Sequence, residues 1–309
     1  MVQETRGVDL MVSVVMITYG HEHYIKQAID GVLMQNVSFG IELIIADDTS
    51  PDNTENIVNK IIKSHPNGGY IKYTKHTKNK GMMPNFIWAL QQSKGKYIAL
   101  CEGDDYWTDP LKLQKQVDFM ESKPEMVFSF HNVATINEKN ESGLFFKFEN
   151  FKDRTIIPKN RFIAKGGGGF GTASTLFKKE IIEDLPDYFK EATVGDMPLA
   201  LLAISKGEIG YLEENMACYR LMSSSSWSKN INNEQRLKNN ENVRITLKKF
   251  HEETNNQFVQ ITKKLNQNIY YHYGLYYSYK SQLKKIPFIA NNFFKLGFVN
   301  MLKLLKNNL

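Results

Sequence analysis

Three carboxylates follow a short apolar run near residue 100. Residues 97–101 lead directly into Glu102, Asp104 and Asp105. Ligands of open α/β sheets bind beyond the carboxyl ends of the strands, and hard divalent cations prefer oxygen ligands. Asp104 and Asp105 are therefore candidate metal ligands. The alternative is a polar turn in which Asp105 or Thr108 caps the next helix.

A second apolar run also ends in carboxylates, Asp47 and Asp48. At the ligand edge of a sheet, such groups can accept hydrogen bonds from the ribose or base of a nucleoside. Capping of the following helix accounts for Ser50, Asp52 and Thr54, but not for the two aspartates. The glycine-rich phosphate fingerprint of dinucleotide-binding folds is absent from the sequence after either strand, which argues against an NAD enzyme.

Isolated polar residues add further candidates, each with a simpler alternative. Lys80 could meet a phosphate, or it could be a solvated loop lysine. Asp196 opens a predicted helix, where it could serve only as the N-cap. Arg220 follows an apolar run and could bind an anion or form a surface ion pair. His21 and His23 are interpreted as loop residues near a nucleotide rather than as metal ligands.

Strand and helix signals alternate in the first third of the chain, which predicts an α/β fold with a mixed, mainly parallel sheet flanked by helices. Residues 136–165 are polar and irregular, and we interpret them as a mobile excursion. The glycine-rich run 166–171 predicts a flexible hinge or a close approach of the backbone to substrate, with the hinge favoured. Strands are predicted at residues 12–18, 41–46, 70–73, 97–101, 126–130, 172–177, 209–212 and 216–220.

The composition bounds the classes of protein that this chain can belong to. Its 309 residues are 42% hydrophobic and 23% charged, which suits one large α/β domain with or without an appendage. Cys101 and Cys218 offer neither a disulfide framework nor zinc-ligand spacing, so we expect a reducing cytoplasm. No secretory leader is evident at the start of the sequence, and no run approaches the roughly 18 apolar residues of a membrane span.

Positive charge is concentrated in the tail. Residues 243–309 carry 11 Lys or Arg against 2 Glu, a balance of +9, so residues 1–242 carry −3 of the net +6. This distribution argues against a nucleic-acid-binding core. A helix over residues 289–306 would have a basic face opposite an aromatic one, which fits peripheral contact with an anionic membrane. Docking of that helix on the rest of the protein is an equal alternative.

Five motifs occur in the order typical of one enzyme family. They are the run from Val14 to Tyr19, "ADDTSPDNT", "EGDDYWTDP" followed by "LKLQKQ", "VGDMPL" and "CYR". Over roughly residues 11–228 the chain resembles family-2 glycosyltransferases. The resemblance implies the Rossmann-like GT-A fold in residues 1–235, with a nucleotide-sugar half over about 11–107 and an acceptor half over about 108–235. Residues 236–309 would then form a helical, basic C-terminal extension.

The resemblance also implies roles for individual residues. Asp104, with Asp105 close by, would bridge Mn²⁺ or Mg²⁺ to the donor diphosphate. Asp196 would be the general base, and Tyr219 and Arg220 would line the leaving diphosphate. The residues that would hold the nucleoside are Thr18, Tyr19, Asp47 and Asp48.

The chain departs from the family pattern at two places. Glu102 stands where an aspartate is commoner, and the residues shortly after Arg220 lack the histidine that relatives often carry.

The implied activity is a metal-assisted, inverting transfer from a nucleotide-diphosphate sugar, UDP-linked above all. The acceptor would be a glycan or lipid-linked glycan, in the cytoplasm or at the inner face of the cell membrane. The main alternative is a non-catalytic nucleotide-sugar-binding or scaffold protein on the same fold. Nucleotidyl transfer is a further alternative. It requires a glycine-rich, basic phosphate-binding loop after the first strand, and the segment that contains Gly20 and His21 is a poor match.

Overall fold

The computed structural model describes residues 9–137, 142–146, 151–221, 233–280, 292–296, 300 and 303–304. The chain divides into two compact units. The sheet unit comprises Met1–Ile157, Phe170–Leu185 and Lys206–Lys229. The helical unit comprises Pro158–Gly169, Pro186–Ser205 and Asn230–Leu309. The predicted boundary between a catalytic domain and an extension at residue 235 stays a prediction.

The first half of the sheet unit alternates strands and helices. The elements are β1 (Leu10–Thr18), α1 (Ile25–Leu33), β2 (Gly40–Asp47), α2 (Thr54–Ser64), β3 (Ile71–Lys75), α3 (Met82–Gln92) and β4 (Tyr97–Leu100). The four strands pair in parallel in the order β3-β2-β1-β4. They are rich in valine and isoleucine, which suits strands that are covered by helices on both faces.

The second half of the sheet unit is mixed. Its elements are β5 (Tyr106–Trp107), α4 (Lys112–Glu121), β6 (Met126–Ile136), β7 (Ser142–Phe146) and β8 (Thr155–Ile157), followed by β9 (Leu176–Lys178) and β10 (Glu208–Arg220). The sheet continues in the order β4-β9-β6-β10-β5. Strand β10 runs parallel to β6, whereas β9 is antiparallel to both of its neighbours. The predicted α/β fold with a mixed sheet is confirmed.

The helical unit contains the remaining helices. They are α5 (Lys159–Ile163), α6 (Asp187–Lys190), α7 (Asp196–Lys206, of which Lys206 falls in the sheet unit), α8 (Asn233–Glu253), α9 (Lys263–Lys280) and α10 (Phe293–Leu296). Tyr188 packs edge-on against Phe250, with 5.3 Å between the ring centroids, and so joins α6 to α8. The amide of Asn268 on α9 donates to the carbonyl of Ala164, at 2.8 Å.

Two predictions about the tail have different outcomes. In the part of the chain that the structure describes, no helix combines the length and apolar character needed to cross a membrane. The helix predicted over 289–306 lies mostly outside the described residues. Its described residues pack on α9, since Leu296 and Leu304 are buried against Tyr270 and the Asn300 side-chain amide donates to the Gln267 carbonyl at 3.0 Å. These contacts favour the docking alternative, whereas membrane contact stays a prediction.

Three sequence predictions are wrong in detail. The excursion over 136–165 contains the short strands β7 and β8 and the helix α5. The two strands form because they pair with β6 and β10, respectively. The two strands predicted at 209–212 and 216–220 form one strand, β10, with irregularities in its pairing. The strand predicted at 172–177 begins as a 3₁₀ turn, Thr172–Ser174.

A buried carboxylate lies near the amino end of β2, at the opposite end of the strand from Asp47. Glu42 on β2 is only 3% exposed. It accepts hydrogen bonds from the Ser13 hydroxyl (2.5 Å), from the Lys94 amide (2.9 Å) and from the Lys72 ammonium. Since a buried charge is tolerated only when paired, these bonds explain a glutamate within an apolar strand.

Candidate active site

The carboxyl ends of β1, β2 and β4 are joined to one another by backbone hydrogen bonds. The Asp48 amide donates to the Thr18 carbonyl at 3.0 Å, and the Gly103 amide donates to the Ile17 carbonyl at 3.0 Å. Gly103 lies so close that a Cβ there would be 2.7 Å from the Thr18 hydroxyl. The structure therefore brings both acidic strand ends to one edge of the sheet, where α/β folds bind ligands.

Asp47 and Asp48 are buried and hydrogen-bonded within the protein. Asp47 accepts from the Ser50 amide (2.6 Å) and from the Tyr73 hydroxyl (2.7 Å). Asp48 accepts from the amides of Lys80 (2.7 Å) and Gly81 (2.9 Å). These carboxylates thus fix the shape of the surrounding loops.

Lys80 meets this site through its backbone, while its side chain is exposed. The structure is compatible with either interpretation of its ammonium group, phosphate contact or solvation.

The polar residues after Asp48 hold the loop between β1 and α1. The Gly20 amide donates to the Ser50 hydroxyl at 3.0 Å, and the His21 amide to the Thr54 hydroxyl at 3.1 Å. Asp52 accepts from the Glu22 amide at 2.9 Å as well as from the Thr54 amide at the start of α2. Helix capping therefore explains only part of this motif. The fixed loop presents Tyr19, which is 50% exposed.

His21 lies against the ends of β1 and β4, and its proximity to a nucleotide stays a prediction. Its Nδ1 is 3.1 Å from the Thr18 hydroxyl, and a Cβ on Gly103 would be 2.6 Å from that nitrogen. Burial lowers the pKa of His21, opposed by the negative charges of Asp104 and Asp52. His23 is exposed and close to Glu22.

Asp104 and Asp105 occupy the loop between β4 and β5 in different environments. Asp104 is partly exposed, whereas Asp105 is 1% exposed and accepts from the Arg220 amide at 3.0 Å. Burial raises the pKa of Asp105 well above its ordinary value, helped by Asp104 and opposed by Arg220. The capping alternative is wrong, because neither Asp105 nor Thr108 caps α4; the Asp109 carboxylate accepts from the Leu111 amide instead.

The residues present fit a hard divalent cation whose oxygen ligands come partly from protein carboxylates and partly from a bound diphosphate. The second oxygen of Asp105, Oδ2, is buried without a hydrogen-bond partner among the described residues. Within that part of the chain, no group of three or more His, Cys, Asp or Glu side chains could hold a metal ion. Mg²⁺ typically uses one or two carboxylates together with substrate phosphates and water, which matches this donor set.

Arg220 and Tyr219 end β10 on opposite faces of the strand. The Arg220 guanidinium lies between the rings of Tyr24 and Tyr106, 5.1 and 4.9 Å from their centroids, and donates to Gln27. Tyr219 packs against the hydrophobic core of the sheet unit. The backbone of Arg220 lies beside Asp105, to which its amide donates at 3.0 Å.

Asp196 belongs to the helical unit. It is the first residue of α7, and its carboxylate accepts from the Met197 amide at 2.7 Å. It therefore lies inside the helix rather than at the predicted N-cap position, whose side chain would accept from an amide two or three residues further on. Burial raises the pKa of its carboxyl group, opposed by that amide.

Sequence reasoning missed three residues of this site. Tyr24, Gln27 and Tyr106 surround the Arg220 guanidinium. Tyr106 directly follows the acidic motif, so its position in the sequence could have suggested a role. Gln27 and Arg220 are 193 positions apart, and no local sequence pattern predicts their contact.

Two acidic strand ends, after β2 and β4, lie at one edge of a mixed α/β sheet. This arrangement is the one expected of GT-A glycosyltransferases. The sequence model described as "Glycosyl transferase family 2" matches residues 13–185. The chain belongs to this family.

Curated relatives extend the likeness without naming a substrate for this chain. An uncharacterized protein of Mycobacterium tuberculosis is 34% identical over 216 residues, 70% of this chain and 60% of the relative. The UDP-Glc:alpha-D-GlcNAc-diphosphoundecaprenol beta-1,3-glucosyltransferase WfaP of Escherichia coli is 35% identical over 135 residues, 44% of this chain and 51% of WfaP. The chain thus spans between half and about three fifths of the length of these relatives.

Solved structures support the fold. Staphylococcus aureus TarS 1-349 in complex with UDP-GlcNAc superposes with a TM-score of 0.59 at 16% identity, covering 87% of this chain and 81% of TarS 1-349. The mannosyltransferase PcManGT of Pyrobaculum calidifontis, in complex with GDP-Man and Mn²⁺, gives 0.60 at 13% identity, covering 97% and 80% of the two chains. The predicted GT-A fold is confirmed.

Proposed function

We propose that the protein is an inverting glycosyltransferase that moves a sugar from a nucleotide-diphosphate sugar to a hydroxyl acceptor. The observation that carries this proposal is the joining of the strand ends at Thr18, Asp48 and Gly103, which places two acidic loops at one ligand edge. Family membership supports the same reaction class.

The nucleoside lies against the ends of β1 and β2. Tyr19 is exposed there and offers a ring face to a base, while Thr18 and Asp48 offer polar groups. Asp47 acts by fixing the Ser50 amide and Tyr73, which shape the pocket. Lys80, whose amide is held by Asp48, lies where its side chain can reach the donor phosphates.

The diphosphate lies against the loop between β4 and β5. Asp104 and Asp105 would hold Mn²⁺ or Mg²⁺, which supplies charge neutralisation for the leaving diphosphate. Arg220 adds a fixed positive charge on the same side, because Tyr24 and Tyr106 hold its guanidinium.

Asp196 serves as the general base. The acceptor hydroxyl attacks the anomeric carbon of the donor sugar as its proton passes to the Asp196 carboxylate. The carbon–oxygen bond to the diphosphate breaks in the same displacement, and the nucleoside diphosphate leaves with the bonding electron pair. One displacement inverts the anomeric configuration. Burial raises the pKa of Asp196, which strengthens it as a base.

The donor is a UDP-sugar and the acceptor is a glycan or lipid-linked glycan, in cell-surface polysaccharide assembly. The name of WfaP supports this class, since it joins UDP-Glc to a diphosphoundecaprenol-linked sugar. We propose that the protein acts in the cytoplasm, at the inner face of the cell membrane.

A thermal-shift screen tests the donor site. The protein is heated with UDP, GDP, CMP or dTDP and their sugar conjugates, with and without Mn²⁺, because ligands that bind the native state raise Tm. We expect a Mn²⁺-dependent rise with the uridine series in the wild type, lost in Asp104→Asn. Asp118→Asn, an exposed carboxylate on α4, is the matched control. No rise with any nucleotide would contradict the proposal, and binding without sugar transfer would favour the scaffold alternative.

A further inference from the structure

The glycine-rich turn in the helical unit encloses the side chain of Asp196. Gly166–Gly169 form a 3₁₀ turn, which Gly166 enters with φ +61°. A Cβ on Gly167 would lie 2.0 Å from Cγ of Asp196, and 2.2 and 2.4 Å from its carboxyl oxygens. The carboxyl group of Asp196 thus fills the space that any side chain at position 167 would need.

A second contact fixes the same carboxyl group from the other side. Oδ1 of Asp196 accepts from the Met197 amide at 2.7 Å. The backbone of the turn and the first turn of α7 therefore hold the group between them. Because Gly167 has no side chain, the turn can approach the carboxyl group this closely.

We propose that Gly167 is a positioning residue for the base of the transfer reaction, since its bare backbone packs on the Asp196 carboxyl group and fixes its orientation. This inference rests on the proposed role of Asp196. In place of a hinge, the inference gives the glycine run the role of a close approach of the backbone to the Asp196 side chain rather than to substrate.

Gly169 offers a matched control in the same turn. A Cβ at Gly169 would lie 2.9 Å from the Phe162 carbonyl oxygen, with no contact to Asp196 among the atoms nearest to it. Gly167→Ala and Gly169→Ala thus both crowd the turn, but only the first displaces the Asp196 carboxyl group.

A thermal-unfolding cycle tests the contact without reference to activity. Gly167→Ala should lower Tm by roughly 3–10 °C when Asp196 is present, the usual cost of overpacking. In an Asp196→Ala background the same change should cost less than about 1 °C, because the colliding carboxyl group is gone. Gly169→Ala should lower Tm equally in both backgrounds. An equal effect of Gly167→Ala in both backgrounds would overturn the inference.

Kinetics then test the positioning role, with UDP-glucose as donor, a lipid-linked glycan as acceptor and UDP release as the signal. Gly167→Ala should lower kcat by about 10²-fold, with KM for the donor within about twofold, because a misplaced base affects the chemical step. Gly169→Ala should retain most of kcat. Equal turnover in the two variants would refute the positioning role. Full turnover in Asp196→Ala, or no turnover in the wild type, would refute the proposed function. The unfolding cycle would still show whether Gly167 contacts the Asp196 carboxyl group.

Discussion

Single residues at the proposed nucleotide-binding edge hold loops in place, and we assign to some of them a second task in binding the donor. Asp47 shows the structural task most clearly, as its two oxygens accept from Ser50 and Tyr73. Hydrogen bonds to a charged group contribute about 1.5–3 kcal/mol each.

We therefore expect Asp47→Asn to lower the free energy of unfolding by about 2–4 kcal/mol, measured by urea titration. Asp30→Asn, which removes an exposed i,i+4 ion pair with Lys26, should cost less than about 1 kcal/mol. Equal losses in the two variants would show that Asp47 contributes no more than a surface carboxylate.

At the end of β10 we assign the binding of the donor diphosphate to Arg220. Arg220→Met keeps the length of the side chain and removes the charge that we assign to the diphosphate. We expect the Kd for UDP with Mn²⁺ to rise about 10–100-fold, the value of a charge-assisted hydrogen bond. Tyr219→Phe should leave Kd unchanged, because Tyr219 packs on the opposite face of the strand. Calorimetric titration measures both, and a larger effect of Tyr219→Phe would reverse the two assignments.

At the scale of elements, α4 buries a lysine beneath the acidic loop. Lys112 is 0% exposed, its ammonium lies 4.1 Å from the centroid of the Trp107 ring, and it donates to Gln116 at 2.7 Å. Trp107, in β5, donates to the Ala173 carbonyl at 2.8 Å and so anchors the loop that carries Asp104 and Asp105. Burial lowers the pKa of Lys112 to about 7.

This burial makes stability depend on pH. Between the native pKa of about 7 and the ordinary value of 10.5, the unfolded chain binds more protons at this position than the native protein does. The free energy of unfolding should therefore rise with pH across this window, by up to about 1.4 kcal/mol per unit. Lys112→Met should remove that slope in urea titrations at pH 7, 8 and 9. Lys60→Met, an exposed lysine on α2, should keep it. A slope that survives in Lys112→Met would contradict the assignment.

The parallel half of the sheet could be predicted because its strands are buried, β-branched and separated by amphipathic helices. The acidic ends of β2 and β4 were visible for the same reason, as charge directly after an apolar run. Strands β7 and β8 were missed, because their stability comes from pairing with distant strands rather than from local pattern. The burial of Lys112 was hidden because the motif around it has ordinary helical periodicity.

The tertiary partners of the candidate site were equally invisible in sequence. The run of glycines suggested a hinge, yet Gly167 is explained by the Asp196 carboxyl group, 29 positions further along the chain. Likewise, nothing local connects Arg220 with Tyr24 or Gln27. Sequence reasoning found the charged residues of the site, whereas the structure identifies the groups that orient them.

On the scale of the whole molecule, the sheet unit carries the proposed donor-binding residues, and the helical unit carries the proposed base. The chain covers only part of the length of its curated relatives, so the acceptor class that the name of WfaP supports is a proposal for this chain. The central claim is that this family member transfers a sugar with Asp196 as base.

The most direct test is the turnover of Asp196→Asn with UDP-glucose and Mn²⁺, measured beside the Kd for the same donor. Asparagine keeps the size of the side chain and a hydrogen bond with the Met197 amide, but cannot take a proton from the acceptor. We predict a loss of roughly 10²–10⁴-fold in kcat with an unchanged Kd, the usual contribution of a positioned base. Wild-type turnover in Asp196→Asn would contradict the account.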